Sequence, residues 1–240
     1  MTATASPTGA SSARLSLIDR FIGIITSPRE TFGSVAAHPA WLGMFLLTAT
    51  IVAAGAALPM TTEAGKQAAV DQQVSAMESF GFTVSDADYE RIQRSTDFLP
   101  YQTAIGAFVM APVIALVMAG IFFAIFNAGL GGDARFKQVF AVVVHAGVIS
   151  ALAQAFTGPI NYLRGSVSSA TNLTAVLPML DDTSFVGRFA GAIDLFIIWW
   201  VLALSIGLAV LYRRRTQPIA TTLFGIYAVI ALAIAAIMGK

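Results

Sequence analysis

Five polar side chains interrupt long apolar runs, and any chemistry performed inside those runs has to use them. His145 carries a titratable imidazole and Asp194 a carboxylate, while Gln154, Ser205 and Asn127 offer neutral donors and acceptors. Such groups in apolar surroundings are functional candidates, because leaving them unpaired there is costly. Their depths match in pairs, so hydrogen bonds are expected between His145 and Ser205 and between Gln154 and Asp194. Asn127 ends its run. One reading is a proton or solute path between the runs that carry these residues. The other is plain interhelical bonding at ~1 kcal/mol per bond, with Asp194 near enough to the end of its run to reach water.

A second set is basic. Arg29, Arg135, Lys137 and the triplet Arg213-Arg214-Arg215 flank the apolar runs. Each basic residue at a membrane surface contributes ~1 kcal/mol toward anionic lipid. Anchoring the topology is the simpler role for the triplet.

Enzyme signatures are missing. The chain has no G-x-S-x-G elbow, no H-E-x-x-H and no P-loop. With no cysteine and only His38 and His145 as histidines, thiolate and histidine-rich metal sites are excluded. No cofactor and no catalytic residue are expected. Gly129-Leu130-Gly131-Gly132-Asp133 joins two runs and reads as a tight turn rather than a phosphate cradle. Asn172-Leu173-Thr174 fits the glycosylation sequon, a triplet common by chance.

The elements that must position these residues follow from hydropathy. Hydrophobic residues make up 57% of the 240 and charged residues 11%, with mean hydropathy +0.76; a soluble domain carries about 25% charged residues. The apolar residues form five runs, 40–58, 101–128, 138–160, 189–212 and 219–238, each of 19 to 28 residues. A helix needs roughly 20 to cross ~30 Å of hydrocarbon, and lipid forces the backbone to bond to itself. The expected fold is therefore all-α, a polytopic membrane protein with a bundle of five transmembrane helices. Prolines mark several ends, while Pro112 lies inside the second run and predicts a kink. Small residues at four-residue spacing (Gly147, Ala151, Ala155; Ala203, Gly207) allow close helix contact, within one bundle or in a homo-oligomer.

Orientation follows from Lys and Arg. One side holds eight basic and three acidic residues; the other holds six basic residues diluted over longer loops with nine acidic ones. The Arg213–Arg215 triplet and the Arg135/Lys137 turn place the first side in the cytoplasm. The N-terminus is then cytoplasmic and Lys240 external. A net charge of +1 gives no reason to expect nucleic acid as a partner.

Residues 1–13 read as a disordered tail, lacking the basic and apolar stretches of a signal peptide. Residues 14–38 read as cytoplasmic amphipathic helices lying in the interface. The first is Arg14–Thr26; Ser27, Pro28 and Glu30 then look like a capping box opening a second that stops before Pro39. In the external loop 59–100, Lys66–Ser79 has helical composition, Gly81 breaks it, and Ser85-x-x-Asp88 starts another short helix.

Two stretches carry a resemblance to a known family: Ile24-Ile25-x-Ser27-Pro28-Arg29-Glu30-Thr31-Phe32 and Phe126-Asn127-x-x-Leu130-Gly131-Gly132-x-x-x-Phe136-Lys137-Gln138-Val139-Phe140. With Pro39 and Trp41 before the first span and Ile198-Trp199 in the fourth, the chain resembles bacterial members of the YIP (Ypt-interacting protein) membrane protein family. The resemblance implies five spans, a cytoplasmic N-terminus and, for the bacterial branch, the inner (cytoplasmic) membrane. The association of eukaryotic members with Rab-type GTPases does not carry over. Their Asp-Leu-Tyr-Gly-Pro motif has no counterpart at His38-Pro39-Ala40-Trp41. No catalytic residues transfer.

Two functions remain open at this point. One is a non-enzymatic scaffold that organises the bilayer or binds membrane proteins and anionic lipids. The other is a small transporter or permease using the polar residues of the third and fourth spans.

Overall fold

The computed structural model describes residues 15–177, 179, 180 and 184–237. The expected tail 1–13, Arg14 and Lys240 lie outside them. Among the described residues the regular structure is helical, with one isolated antiparallel bridge between Asn172 and Asp194.

Two short helices come first, α1 (Leu17–Thr26) and α2 (Pro28–Ala37). Ser16 caps α1 in a reciprocal box: the Asp19 amide donates to Ser16 Oγ (3.1 Å) and the Ser16 amide to the Asp19 carboxylate (3.2 Å). The box expected at Ser27 and Glu30 does not form. Pro28 does open α2, but Ser27 makes no side-chain cap, and its carbonyl accepts from Thr31 Oγ1 instead.

The apolar runs become α3 (Leu42–Ala57), α6 (Leu99–Phe123), α7 (Phe136–Arg164), α10 (Leu195–Leu211) and α11 (Thr216–Ile237). Between α3 and α6 lie α4 (Glu63–Ser79) and α5 (Asp86–Arg94); between α7 and α10 lie α8 (Leu173–Val176) and α9 (Phe185–Ala192). Among the described residues three helical segments are long and apolar enough to cross a membrane: Asp86–Gly129, which contains α6; α7; and α11. The apolar helices α3 and α10 are shorter, with 16 and 17 residues.

Two run boundaries differ from the expectation. The run 138–160 does not end near Pro159; α7 continues to Arg164 and stops where Gly165 adopts φ +57°. The run 189–212 is not one helix. Its backbone turns extended at Ile193 and Asp194, and the Asp194 carboxylate caps a new helix there. Pro112 lies within α6.

Helix α7 is the centre, packing against α3, α6 and α10 and against both short N-terminal helices. Every residue from Val139 to Ala146 is buried, the pattern of a helix surrounded by protein. Helices α6 and α11, by contrast, leave Ile105, Val109, Ile114, Val117, Val229 and Ile230 exposed.

Close approach is set by glycines. A Cβ on Gly55 of α3 would lie 2.7 Å from the Gln154 carbonyl oxygen of α7, and one on Gly158 would lie 2.8 Å from the Gly55 carbonyl oxygen. Gly207 of α10 receives Val142 of α7 and the ring of Phe32 from α2. Gly207 therefore serves the close packing expected of it. Gly147 has nothing nearer than Thr48 Oγ1 at 4.0 Å, and Ala155 is exposed.

Candidate functional site

The five intramembrane polar candidates do not converge. His145 is fully buried and its Nδ1 lies 2.7 Å from the Ala141 carbonyl oxygen one turn back. That carbonyl can only accept, so the proton sits on Nδ1 and the Nε2 lone pair is free. Nε2 meets Arg20 Nη1 of α1 at 3.2 Å. The same nitrogen donates to the Ala40 carbonyl (2.6 Å), and Arg20 Nε donates to the Ser16 carbonyl (3.4 Å). His145 thus anchors α1 to the bundle, and the pairing expected with Ser205 is absent. Ser205 is buried and donates to Val201 within its own helix.

Asn127 lies in a π-helical turn, Ala124–Gly129, that follows α6. Its Nδ2 donates to the Ala134 carbonyl (2.7 Å) and its Oδ1 accepts from Tyr212 Oη (2.7 Å). The Tyr212 ring stacks on Phe126 at 4.7 Å and lies where a Cβ on Gly132 would be. Gly131 takes φ +67°, and the Gly132 amide closes the turn on the Phe126 carbonyl at 2.8 Å. The glycine-rich segment is a turn, and Asn127 is its clasp.

Asp194 Oδ1 accepts the Phe196 and Ile197 amides, while Oδ2 accepts the hydroxyls of Ser169 (2.5 Å) and Thr171 (2.7 Å). Its own amide donates to Tyr227 Oη, which in turn donates to the Ala192 carbonyl, tying α11 to the break. Gln154 and Asp194 line one cavity of about 540 Å³ without a hydrogen bond between them. Asn161 lines it too, with a buried Oδ1 that has no partner among the described residues.

The basic candidates gather around the start of α7 and the turns before it and after α10. Gln138 joins the first of these turns to α2, accepting from the Arg135 amide and donating to the Ala36 carbonyl (2.9 Å). Arg214 donates to the Leu130 carbonyl across the two turns (3.2 Å). Arg213 takes φ +52° at the end of α10, where the Arg214 amide reaches the Ala209 carbonyl, a helix-stop position that favours glycine. Arg29 is exposed on α2. Among the described residues, none of Arg20, Arg29, Arg135, Lys137, Arg213, Arg214 and Arg215 is in an ion pair.

A family model described as the Yip1 domain matches residues 22–238. The chain belongs to the Yip1 domain family. No curated protein and no solved structure matches it. With its long apolar helices, the Yip1 domain is that of an integral membrane protein. The two stretches that carry the resemblance acquire physical reasons. Thr31 and Phe32 are buried, Phe32 against Gly207, and the Phe-Asn and Gly-Gly pairs build the clasped turn. Arg20 precedes the matched range, so its bond to His145 ties a residue outside the Yip1 domain to its centre.

Sequence reading missed four partners. Arg20 lies in the segment expected to be the first amphipathic helix, and Tyr212 ends the run 189–212. Ser169 and Thr171 lie between the runs 138–160 and 189–212. Each is defined by a contact far along the chain, up to 125 residues for Arg20 and His145. Among the described residues, no group of three or more His, Cys, Asp or Glu side chains is placed to hold a metal ion.

Proposed function

We propose that this Yip1-domain protein is a non-enzymatic scaffold of the bacterial inner membrane that spans the bilayer five times and uses its basic face to hold anionic lipids and membrane partners. The N-terminus is cytoplasmic in this reading and the C-terminus external. α3 and α10 span with help from the flanking turns, since 16 or 17 residues rise about 24–26 Å. α1 and α2 lie at the cytoplasmic surface, with Ile18 and Ile22 of α1 meeting lipid.

The observation that carries the proposal is the charge of seven basic residues, on the short helices, the turns and the start of α7, that form no ion pair among the described residues. Positive charge left without carboxylates at the cytoplasmic boundary attracts anionic headgroups. The test replaces Arg135, Lys137, Arg213, Arg214 and Arg215 with glutamine. Phosphatidylglycerol co-purifying with the protein and partners crosslinked in native membranes should both fall. Unchanged amounts of both would overturn the reading.

The transporter alternative has lost its motivating pairs, since His145 bonds to Arg20 and Ser205 to Val201. A flux assay with His145 and Asp194 made apolar is its direct test.

A further inference from the structure

Between α1, the end of α2 and the start of α7 lies a cavity of about 440 Å³. Arg20, Lys137, His38 and Ser34 line it, with Leu15 at its edge, and no carboxylate does. The guanidinium of Arg20 is held in place before any ligand arrives. Nε and Nη1 are committed to Ser16, Ala40 and His145, while Nη2 has no acceptor among the described residues. Lys137 Nζ makes no hydrogen bond or ion pair among them either. It sits one residue into α7, where helix amides and dipole favour negative charge.

We infer that this cavity is a phosphate-binding site, built to take the phosphate of one anionic phospholipid headgroup or of a soluble phosphate compound. The inference rests on the basic-face reading but narrows it from diffuse attraction to one occupant per chain. Arg20 supplies a fixed positive charge and the N–H donors of Nη2, each able to make a charge-assisted hydrogen bond. Lys137 supplies a mobile point charge, and the Ser34 hydroxyl and His38 imidazole complete the donor set. Fixing Arg20 in advance reduces the ordering cost of binding. The volume exceeds that of a bare phosphate and leaves room for a glycerol headgroup. Leu15 gives the cavity an apolar edge on the side of α1 that also exposes Ile18 and Ile22.

The experiment is native mass spectrometry of the full chain, titrated with phosphatidate, phosphatidylglycerol, phosphatidylcholine and, separately, inorganic phosphate. One anionic lipid should remain bound per chain, with phosphatidylcholine at least tenfold weaker. Lys137→Gln combined with His38→Ala should weaken that occupant on the order of tenfold, the loss expected for charge-assisted hydrogen bonds. Both side chains are outside the core, so this variant keeps its fold. Arg20→Lys keeps the charge but not the planar guanidinium held in place by Ser16, Ala40 and His145, and its affinity should fall between those of the wild type and the double variant. The triplet variant Arg213→Gln, Arg214→Gln, Arg215→Gln should keep the single occupant while losing the looser, multiple binding of anionic lipid. Displacement by inorganic phosphate supports the site and assigns it to soluble phosphates; displacement only by lipids supports it and assigns it to headgroups. Wild-type binding that the Lys137/His38 variant leaves intact would overturn the cavity while sparing the scaffold reading. Loss in the triplet variant alone would do the same.

Discussion

The two ends of α3 lead into regions that treat charge in contrary ways. After α3 comes the α4–α5 hairpin, with seven acidic and three basic residues between positions 61 and 99. All three basic residues there are paired: Lys66 with Glu63 and Asp97, Arg91 with Asp88, Arg94 with Glu90. Before α3, and on the turns beside α7, seven basic residues outnumber three acidic ones and form no ion pair among the described residues. The hairpin satisfies its cations internally, mostly within one helical turn, an arrangement that supports short exposed helices but contributes little per pair. On the basic face Arg20 and Arg214 donate to backbone carbonyls, and Arg20 also to His145, while the charge stays available.

Burial differs in the same direction, and the largest expected effect lies there. Phe32 is 0% exposed in the basic region and Phe80 is 71% exposed in the hairpin. Phe32→Ala empties the space against Gly207, and should cost about 3 kcal/mol or more of stability. Phe80→Ala should cost almost nothing. Unfolding in mixed micelles followed by circular dichroism checks both. Equal losses would mean that α2 is no more embedded than the hairpin.

Backbone contact gives a smaller effect. Gly158→Leu forces a side chain where the Gly55 backbone lies, and should cost about 1–3 kcal/mol through overpacking. Gly106→Leu in α6, where a Cβ meets nothing within 4 Å, should be tolerated. A shift for Gly106→Leu as large as that for Gly158→Leu would remove the distinction between the α3–α7 crossing and the outer face of α6.

These contrasts show which parts of the molecule a linear reading reaches. The five apolar runs were readable because hydropathy sums over about twenty residues and a single polar group barely changes it. That averaging hid the break at Asp194, where one carboxylate gains two amides and ends a helix despite strongly apolar neighbours. Ser85-x-x-Asp88 was readable as a cap and forms one, while Ser27-x-x-Glu30 has the same spacing with a glutamate and does not. The Ser27 backbone, at φ −142° and ψ 58°, is committed to a sharp turn between α1 and α2. The candidate site was less readable than the fold. Polar residues were matched by depth, but depth does not specify which neighbour faces which. His145 found Arg20 from a segment read as lying apart from the bundle. Close approach was sought along single helices, whereas Gly55 and Gly158 act as a pair across two.

Arg213 tests whether the basic face keeps charge at the expense of stability. Its φ of +52° is left-handed, a conformation that costs a non-glycine residue about 1–2 kcal/mol. Arg213→Gly should therefore raise stability by roughly 1 kcal/mol while reducing bound anionic lipid. Melting temperature and lipid content of the same preparation read both quantities. A variant that is more stable with undiminished lipid would show that the charge at this position is incidental.

The smallest effect belongs to the hairpin. Asp88 accepts a hydrogen bond from Ser85 Oγ at 2.7 Å, and this bond is the main reason its carboxyl titrates below the ordinary 3.8. Desolvation opposes it, and a hydrogen bond from the Ser85 backbone and the nearby Arg91 add smaller effects in the lowering direction. A carboxyl lowered by folding adds stability that is complete above its unfolded value and disappears as pH falls through its folded value. Amide exchange in α5 should accordingly speed up as pH drops below about 4, beyond the change expected from intrinsic exchange chemistry. Ser85→Ala should flatten that dependence and leave the exchange of α7 unchanged.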